Sequence, residues 1–121
     1  MAWRIVVLEP ARSWLHGLRV TDRSTLEQIS AAIRELQERG PGLGRPLVDT
    51  IAGSAIQNLK ELRPGSSGRS EVRILFVFDP TRQAVVLVGG DKAGIWKSWY
   101  PEAIKLAEES YAQHLRELSD D

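Results

Sequence analysis

Val72-Arg73-Ile74-Leu75-Phe76-Val77-Phe78-Asp79-Pro80-Thr81-Arg82-Gln83-Ala84-Val85-Val86-Leu87-Val88-Gly89 is the stretch that decides the fold. β-Branched and aromatic residues fill 72–79 and 84–89, and the five residues from Asp79 to Gln83 have turn chemistry, so two strands joined by a tight turn are expected. Upstream, residues 56–62 read as another strand, set off by a polar loop over 64–70. Consecutive strands with short connections imply an antiparallel meander.

The flanks supply the rest of the architecture. Residues 3–8 form an apolar opening strand that Glu9-Pro10 ends. A short helix over 11–18 places Trp14, Leu15 and Leu18 at helical spacing. The clearest helix covers 21–39. Thr21 or Asp22 can cap it, and Ser24 with Glu27 offers a second capping box. Its apolar stripe is Leu26, Ile29, Ile33 and Leu36, with Ala32 filling in, and Gly40-Pro41-Gly42 stops it. Residues 40–53 read as a Gly- and Pro-rich loop that packs down through Leu43, Leu47, Val48 and Ile51. A last helix begins at Tyr100 or Pro101 and runs to Leu118, with Ile104, Ala107, Tyr111, Leu115 and Leu118 as its stripe. The expected class is α+β: a small antiparallel sheet, made of the N-terminal strand and the three-strand meander, with helices packed on one face and a C-terminal helix. The first strand pairs beside the last one or in the middle of the sheet. Residues 1–121 are expected to form one domain.

Composition narrows the function classes. The 121 residues are 42% hydrophobic and 26% charged and include no cysteine, which excludes disulfides, thiolate metal sites and cysteine nucleophiles. No apolar run reaches the roughly eighteen residues of a membrane span, and residues 5–8 are too short for a signal core. The expected location is the cytoplasm, with no membrane partner. The sixteen basic and sixteen acidic residues cancel. Their distribution is uneven: 56–100 carries seven basic side chains against four acidic, and 101–121 carries two against six. A small basic face is therefore expected on the strands.

His16 and His114 fall on separate helices without a second ligand at metal spacing, so no metal or other cofactor is expected, and each reads as a surface or boundary residue. Gly89-Gly90-Asp91-Lys92-Ala93-Gly94 lacks the Lys-Ser/Thr of a nucleotide-binding loop, and no Gly-x-Ser-x-Gly elbow exists. The strand cations remain. Alternation puts Val72, Ile74, Phe76 and Phe78 on the core face, and Arg73, Leu75, Val77 and Asp79 on the other, more open one. Arg63 shares a face with Leu59 and Glu61, whereas Lys60 goes with Leu62. In simple register, Arg63, Arg73 and Lys92 converge in one concavity. Guanidinium groups hold phosphate oxygens in bidentate fashion, and a lysine can serve as acid or base, so RNA cleavage at the 2′-hydroxyl is within their chemistry. The alternative is structural: Arg63 and Arg73 pair with Glu61, Glu71 or Asp79 across strands. Trp96, Trp99 and Tyr100 can stack on bases or wedge the last helix onto the sheet; Trp99, Trp3 and Trp14 read as packing residues.

Leu59-Lys60-Glu61-Leu62-Arg63, Arg73 in the next strand and Gly90-Asp91-Lys92 after the third resemble a RelE/ParE-superfamily toxin, in its phage-derived HigB-like branch. The similarity extends to residues 40–49, to Gly65-Ser66-Ser67-Gly68-Arg69-Ser70, to Asp91-Lys92-Ala93-Gly94, Trp96 and Trp99-Tyr100, and to the helix over 102–115. It covers nearly the whole chain from residue 3. The resemblance implies a RelE-like fold and the toxin of a type II toxin–antitoxin pair, a metal-independent endoribonuclease that inhibits translation by ribosome-dependent cleavage of messenger RNA. Its implied partners are the ribosome, mRNA and a helix-turn-helix antitoxin. Arg63, Arg73 and Lys92 match the catalytic positions, with Lys60, Trp96, Lys97 and Tyr100 as substrate-binding candidates. The chain departs from the pattern at Ala55, Ile56 and Gln57, where close relatives often carry basic and imidazole side chains, and at Ile95, where a polar residue is common. The rival readings are a non-catalytic or weakened toxin-fold binding module and a gyrase-inhibiting ParE-like toxin.

Overall fold

A computed structural model describes residues 2–65 and 70–120. Ser66, Ser67, Gly68 and Arg69, which fall in the expected polar loop and in the family resemblance, lie outside the described residues. Along the chain the elements are β1 (Arg4–Val7), α1 (Ala11–Thr21), α2 (Arg23–Arg39), a 3-10 turn at Gly40–Gly42, β2 (Val48–Thr50), β3 (Lys60–Leu62), β4 (Val72–Phe78), β5 (Gln83–Asp91) and α3 (Trp96–Ser119). The sheet has five strands in the order β1-β5-β4-β3-β2.

The α+β class and the β3-β4-β5 meander are as expected, and β1 takes the edge beside β5. Two features of the sheet differ. It is mixed rather than antiparallel throughout, because β1 runs parallel to β5. It also has a fifth strand, β2, which pairs Val48 with Leu62 and Thr50 with Lys60. Three residues between a Gly/Pro-rich run and Gly53 carry too little periodicity to announce a strand. The β3 strand is shorter than expected for a local reason. Asn58 adopts a positive φ of 62°, and the Ala55 N–H donates to Glu108 on α3 rather than to a neighbouring strand, so the ladder begins only at Lys60.

The β4–β5 pair is buried on both faces. Val72, Ile74 and Phe76 pack with Ile29, Ala32 and Leu36 beneath α1 and α2. Leu75 and Val77 pack with Val85, Leu87 and Ala107 beneath α3. The face expected to be more open is therefore roofed by α3. Each fully buried Leu, Ile or Phe contributes about 1.5–3 kcal/mol relative to exposure. A register shift lies between Leu75 and Phe76, which pair with Val88 and Val86 and leave Leu87 as the extra residue. That bulge reverses the facing of everything after it in β5. Gly89 consequently abuts Trp14 of α1, and Gly90 abuts Trp99 of α3.

Asp22 caps α2, accepting from both the amide and the hydroxyl of Thr25. The α3 helix starts at Trp96, several residues before Pro101, because Ser98 and Trp99 N–H groups already close onto the Ile95 carbonyl. Pro101 thus sits inside the helix rather than at its first position. The buried line of α3 is Ala103, Ala107 and His114, with Leu115 turned outward. Small alanines let the helix approach the sheet, and His114 is drawn in by Asp79.

His114 corrects the expectation of a surface or boundary residue: it is buried, with Nε2 2.8 Å from Asp79 Oδ2. Asp79 also accepts from Thr81 N–H and O–H, Gln83 N–H and the Gln83 side-chain amide. Burial alone would raise its pKa; the hydrogen bonds from His114, Gln83 and Thr81 outweigh this and hold it at about 2. An unfolded-state value of 3.8 against a folded value of about 2 means stability present above pH 4 and lost as pH falls through 2, on the order of 2 kcal/mol. Urea unfolding of wild type and Asp79→Asn is expected to show a gap at pH 7 that narrows steadily between pH 4 and pH 2. A gap independent of pH would refute this account of Asp79.

Candidate functional site

Strand pairing brings the predicted cations together. Arg63 follows β3 directly, and its backbone N–H extends the ladder to the Leu47 carbonyl at 2.7 Å. Arg73 lies in β4 opposite Gly90 of β5. Lys92 follows β5, with its N–H on the Glu71 carbonyl at 3.0 Å. Asp91 closes this end of the ladder by accepting from the N–H groups of Glu71 and Ala93.

The point of convergence is a carboxylate. Glu61 Oε1 is 3.2 Å from Arg73 Nε, and Glu61 Oε2 is 3.4 Å from Arg63 Nη2, with the Glu61 side chain only 2% exposed. The Tyr100 hydroxyl donates a short hydrogen bond to Glu61 Oε1. Arg73 Nη1 donates to the Val72 carbonyl at 2.8 Å. Arg63 Nη2 also reaches Asp49 Oδ2 at 3.2 Å, and Arg45 reaches the same oxygen at 2.9 Å. Hydrogen bonds from Arg45 and the Thr50 N–H hold the Asp49 carboxyl below the usual carboxylate range. Lys92 completes the cluster from above: its Nζ lies 5.8 Å from the Tyr100 ring centroid and 3.9 Å from Glu71 Oε2.

Tyr100 is a donor here. Burial, reinforced by the hydrogen bond to Glu61 and its negative charge, pushes the phenol up to about 12, so it keeps its proton near neutrality. Its ring stands edge-on to Trp99 with centroids 5.0 Å apart. Trp99 in turn fills the space left by Gly90, as its expected packing role requires.

The other candidates separate from this cluster. Lys60 pairs with Phe76, so it stands on the face covered by α1 and α2, opposite to Glu61. Trp96 and Lys97 occupy the first turn of α3, where Trp96 is 54% exposed and Lys97 Nζ lies 5.7 Å from its ring centroid. They flank the cluster without touching Glu61 among the described residues. Two cavities of about 320 and 600 Å³ border α3 further along, and neither is lined by Arg63, Arg73 or Lys92. At their meeting point the structure has two guanidinium groups gathered on a buried carboxylate. Ion pairing with Glu61 was the structural alternative offered by the alternation of β3, and it is present. The contribution of Asp49 was hidden because β2 read as loop.

A mixed five-stranded α+β sheet with cations gathered at one end is consistent with the small RelE-like fold that the sequence resembles. The family profile described as phage derived protein Gp49-like (DUF891) matches residues 14–112, and the chain belongs to that family. It is similar to two proteins of Mycobacterium tuberculosis (strain ATCC 25618 / H37Rv), HigB2 and HigB3, whose names mark them as candidate toxins. Identity to HigB2 is 58% over 113 residues, covering 93% of this chain but 55% of the relative, so the chain spans about half of that protein. Identity to HigB3 is 43% over 105 residues, covering 87% of each. The HigB-like resemblance read from the strand motifs is thereby supported.

Gly90 tests how the cluster is held. A Cβ at this position would stand 2.5 Å from Trp99 Nε1, so the indole at the start of α3 would have to shift. Gly90→Ala is expected to destabilise the fold by about 1–3 kcal/mol and to detach Tyr100 from Glu61. Chemical denaturation and the tryptophan emission spectrum check this; an unshifted midpoint would show that α3 is seated by other contacts.

Proposed function

We propose that the protein is the toxin of a type II toxin–antitoxin system that inhibits translation in the cytoplasm by cleaving messenger RNA on the ribosome. The reading is supported by membership of the Gp49-like family, by the candidate-toxin names of the two relatives, and by one geometric observation that carries it: Arg63, Arg73 and Tyr100 meet at a single point, with Lys92 against the Tyr100 ring. In the proposed reaction the 2′-hydroxyl attacks the adjacent phosphorus and gives its proton to water, the P–O5′ bond breaks, and the departing 5′-oxygen takes a proton from water, leaving a 2′,3′-cyclic phosphate and a 5′-hydroxyl. The transition state gathers negative charge on the non-bridging oxygens. Each guanidinium carries five N–H donors, more than Glu61 and Asp49 use, so Arg63 and Arg73 can neutralise that charge by adding a phosphate oxygen to their contacts. Lys92 adds a third cation beside them. Trp96 and Lys97, exposed on the first turn of α3, would meet the neighbouring nucleotides. A helix-turn-helix antitoxin is the proposed neutralising partner.

The ion pairs also favour a second reading, a non-catalytic binding module, because both arginines already have carboxylate partners. One experiment separates them. Wild type and Arg73→Ala are expressed in a bacterium lacking the antitoxin, and transcript ends are mapped by primer extension. The expected result is growth arrest with new 5′ ends inside reading frames for wild type, and a loss of cleavage of about 10²-fold or more for Arg73→Ala. Equal cleavage by both proteins removes Arg73 from the site. DNA damage without new transcript ends selects a gyrase inhibitor, and neither effect selects the binding module.

A further inference from the structure

The least explained group in the cluster is its anion. A site for phosphate should repel a carboxylate, yet Glu61 is buried at its centre, fixed in β3 opposite Leu75 and beneath α3. Taking such a group out of water is costly unless its lone pairs are filled. Here Oε1 takes the Tyr100 hydroxyl and faces Arg73, and Oε2 takes Arg63. The contacts involve different atoms of the two arginines: Nη2 of Arg63 and Nε of Arg73. One rigid carboxylate thus accepts from the Arg63 guanidinium and lies against that of Arg73, whose Nη1 is held by the Val72 carbonyl, while the Nε of each arginine is buried without a hydrogen-bond partner among the described residues. The arginine side chains are 36% and 18% exposed, whereas Glu61 is 2% exposed. The cations reach the surface and their anchor does not.

We infer that Glu61 is a positioning residue, whose buried carboxylate aligns Arg63, Arg73 and the Tyr100 phenol for a single phosphate while lowering the affinity with which that phosphate is held. The inference rests on the proposed nuclease reading and deepens it. Glu61 itself takes no proton from the substrate and makes no contact with it. Its negative charge opposes the incoming phosphate, so the ground state is bound less tightly. In return the guanidinium groups are held in place before the reaction begins, and little reorganisation remains for the transition state. A group with a merely structural role would, on removal, weaken binding and turnover together. A positioning carboxylate predicts that they move in opposite directions.

Glu61→Gln keeps the shape and can still accept from Tyr100, but loses the charge that both arginines face. Turnover and KM are measured in a reconstituted ribosomal cleavage assay, alongside binding of a 3′-phosphorylated nucleotide by calorimetry without ribosomes. Near-ultraviolet circular dichroism confirms the fold, and Glu61→Met, which also removes the charge at similar volume, serves if Glu61→Gln does not fold. The expected outcome is nucleotide binding tightened about tenfold by the removed charge and kcat lowered about 10²-fold by misorientation. Asp49→Asn is the comparison, because it removes an equally near charge from Arg63 but leaves Arg73 and Tyr100 in place; its kcat should fall less. Weaker nucleotide binding by folded Glu61→Gln, or the same kcat loss in Asp49→Asn, overturns the inference. A wild type that binds the nucleotide but never cleaves message would instead overturn the nuclease reading, with the binding comparison still deciding whether Glu61 opposes the phosphate.

Discussion

The pairing of β4 with β5 constrains everything around it, because these two strands bury both faces and each face then needs its own helical cover. Ile74, Phe76 and Val86 demand the α1–α2 layer; Leu75, Val77 and Leu87 demand α3. The single register shift between Leu75 and Phe76 determines what happens at the far end of the pair. It turns Gly89 towards Trp14 and Gly90 towards Trp99, so each helical layer is seated by an indole pressed against a residue without a side chain. The second of these contacts delivers Tyr100 to Glu61. The site geometry therefore follows from a packing irregularity in the middle of the sheet.

That dependence explains which parts of the protein were legible in the sequence. The long apolar runs over 72–79 and 84–89 and the stripe of α2 gave the meander, the α+β class and one complete helical layer, because burial in a repeating pattern leaves a periodic trace. The α3 helix keeps most of its expected stripe: Ala107 is buried and Ile104 and Tyr111 pack beside it, whereas Leu115 is exposed. Its buried line includes His114, a polar residue that enters the core only because Asp79 waits there to bond it. A partner thirty-five positions away leaves no local signal. The start of α3 was likewise displaced by Pro101, which usually marks a first turn and here stands inside the helix. Gly89-Gly90 resembled part of a phosphate loop, whereas in the structure both glycines lie within β5 and make room for tryptophans.

For the site, alternation was enough to put Arg63, Arg73 and Glu61 on one face and Lys60 on the other. It could not decide whether Glu61 competes with the arginines' role or supports it, since that turns on burial and on the Tyr100 hydroxyl arriving from α3. Asp49 was out of reach altogether. Its strand is three residues long and becomes regular only by pairing with β3. The neutral composition gains a local meaning from these contacts. Arg45 and Arg63 meet Asp49, Arg63 and Arg73 meet Glu61, and Lys92 faces Glu71. The cations are balanced where they stand, rather than by a distant acidic tail.

Local balance changes how such a centre can recognise an anion. A broadly basic surface attracts phosphate from a distance and holds it through a diffuse field that salt readily screens. A compensated cluster has little field beyond a few ångströms, because each positive charge has a negative one within contact range. Its selectivity must come instead from fixed N–H geometry, which rewards an oxygen only in the right place. Under the proposed function this division of labour suits a substrate presented by a larger particle: the assembly that carries the RNA would supply attraction and delivery, and the small protein would need only a preformed arrangement of donors. The carboxylate at the centre of the cations is then consistent with their proposed chemistry, since the arginines it orients are the groups that remain partly exposed and the carboxylate is the one that does not.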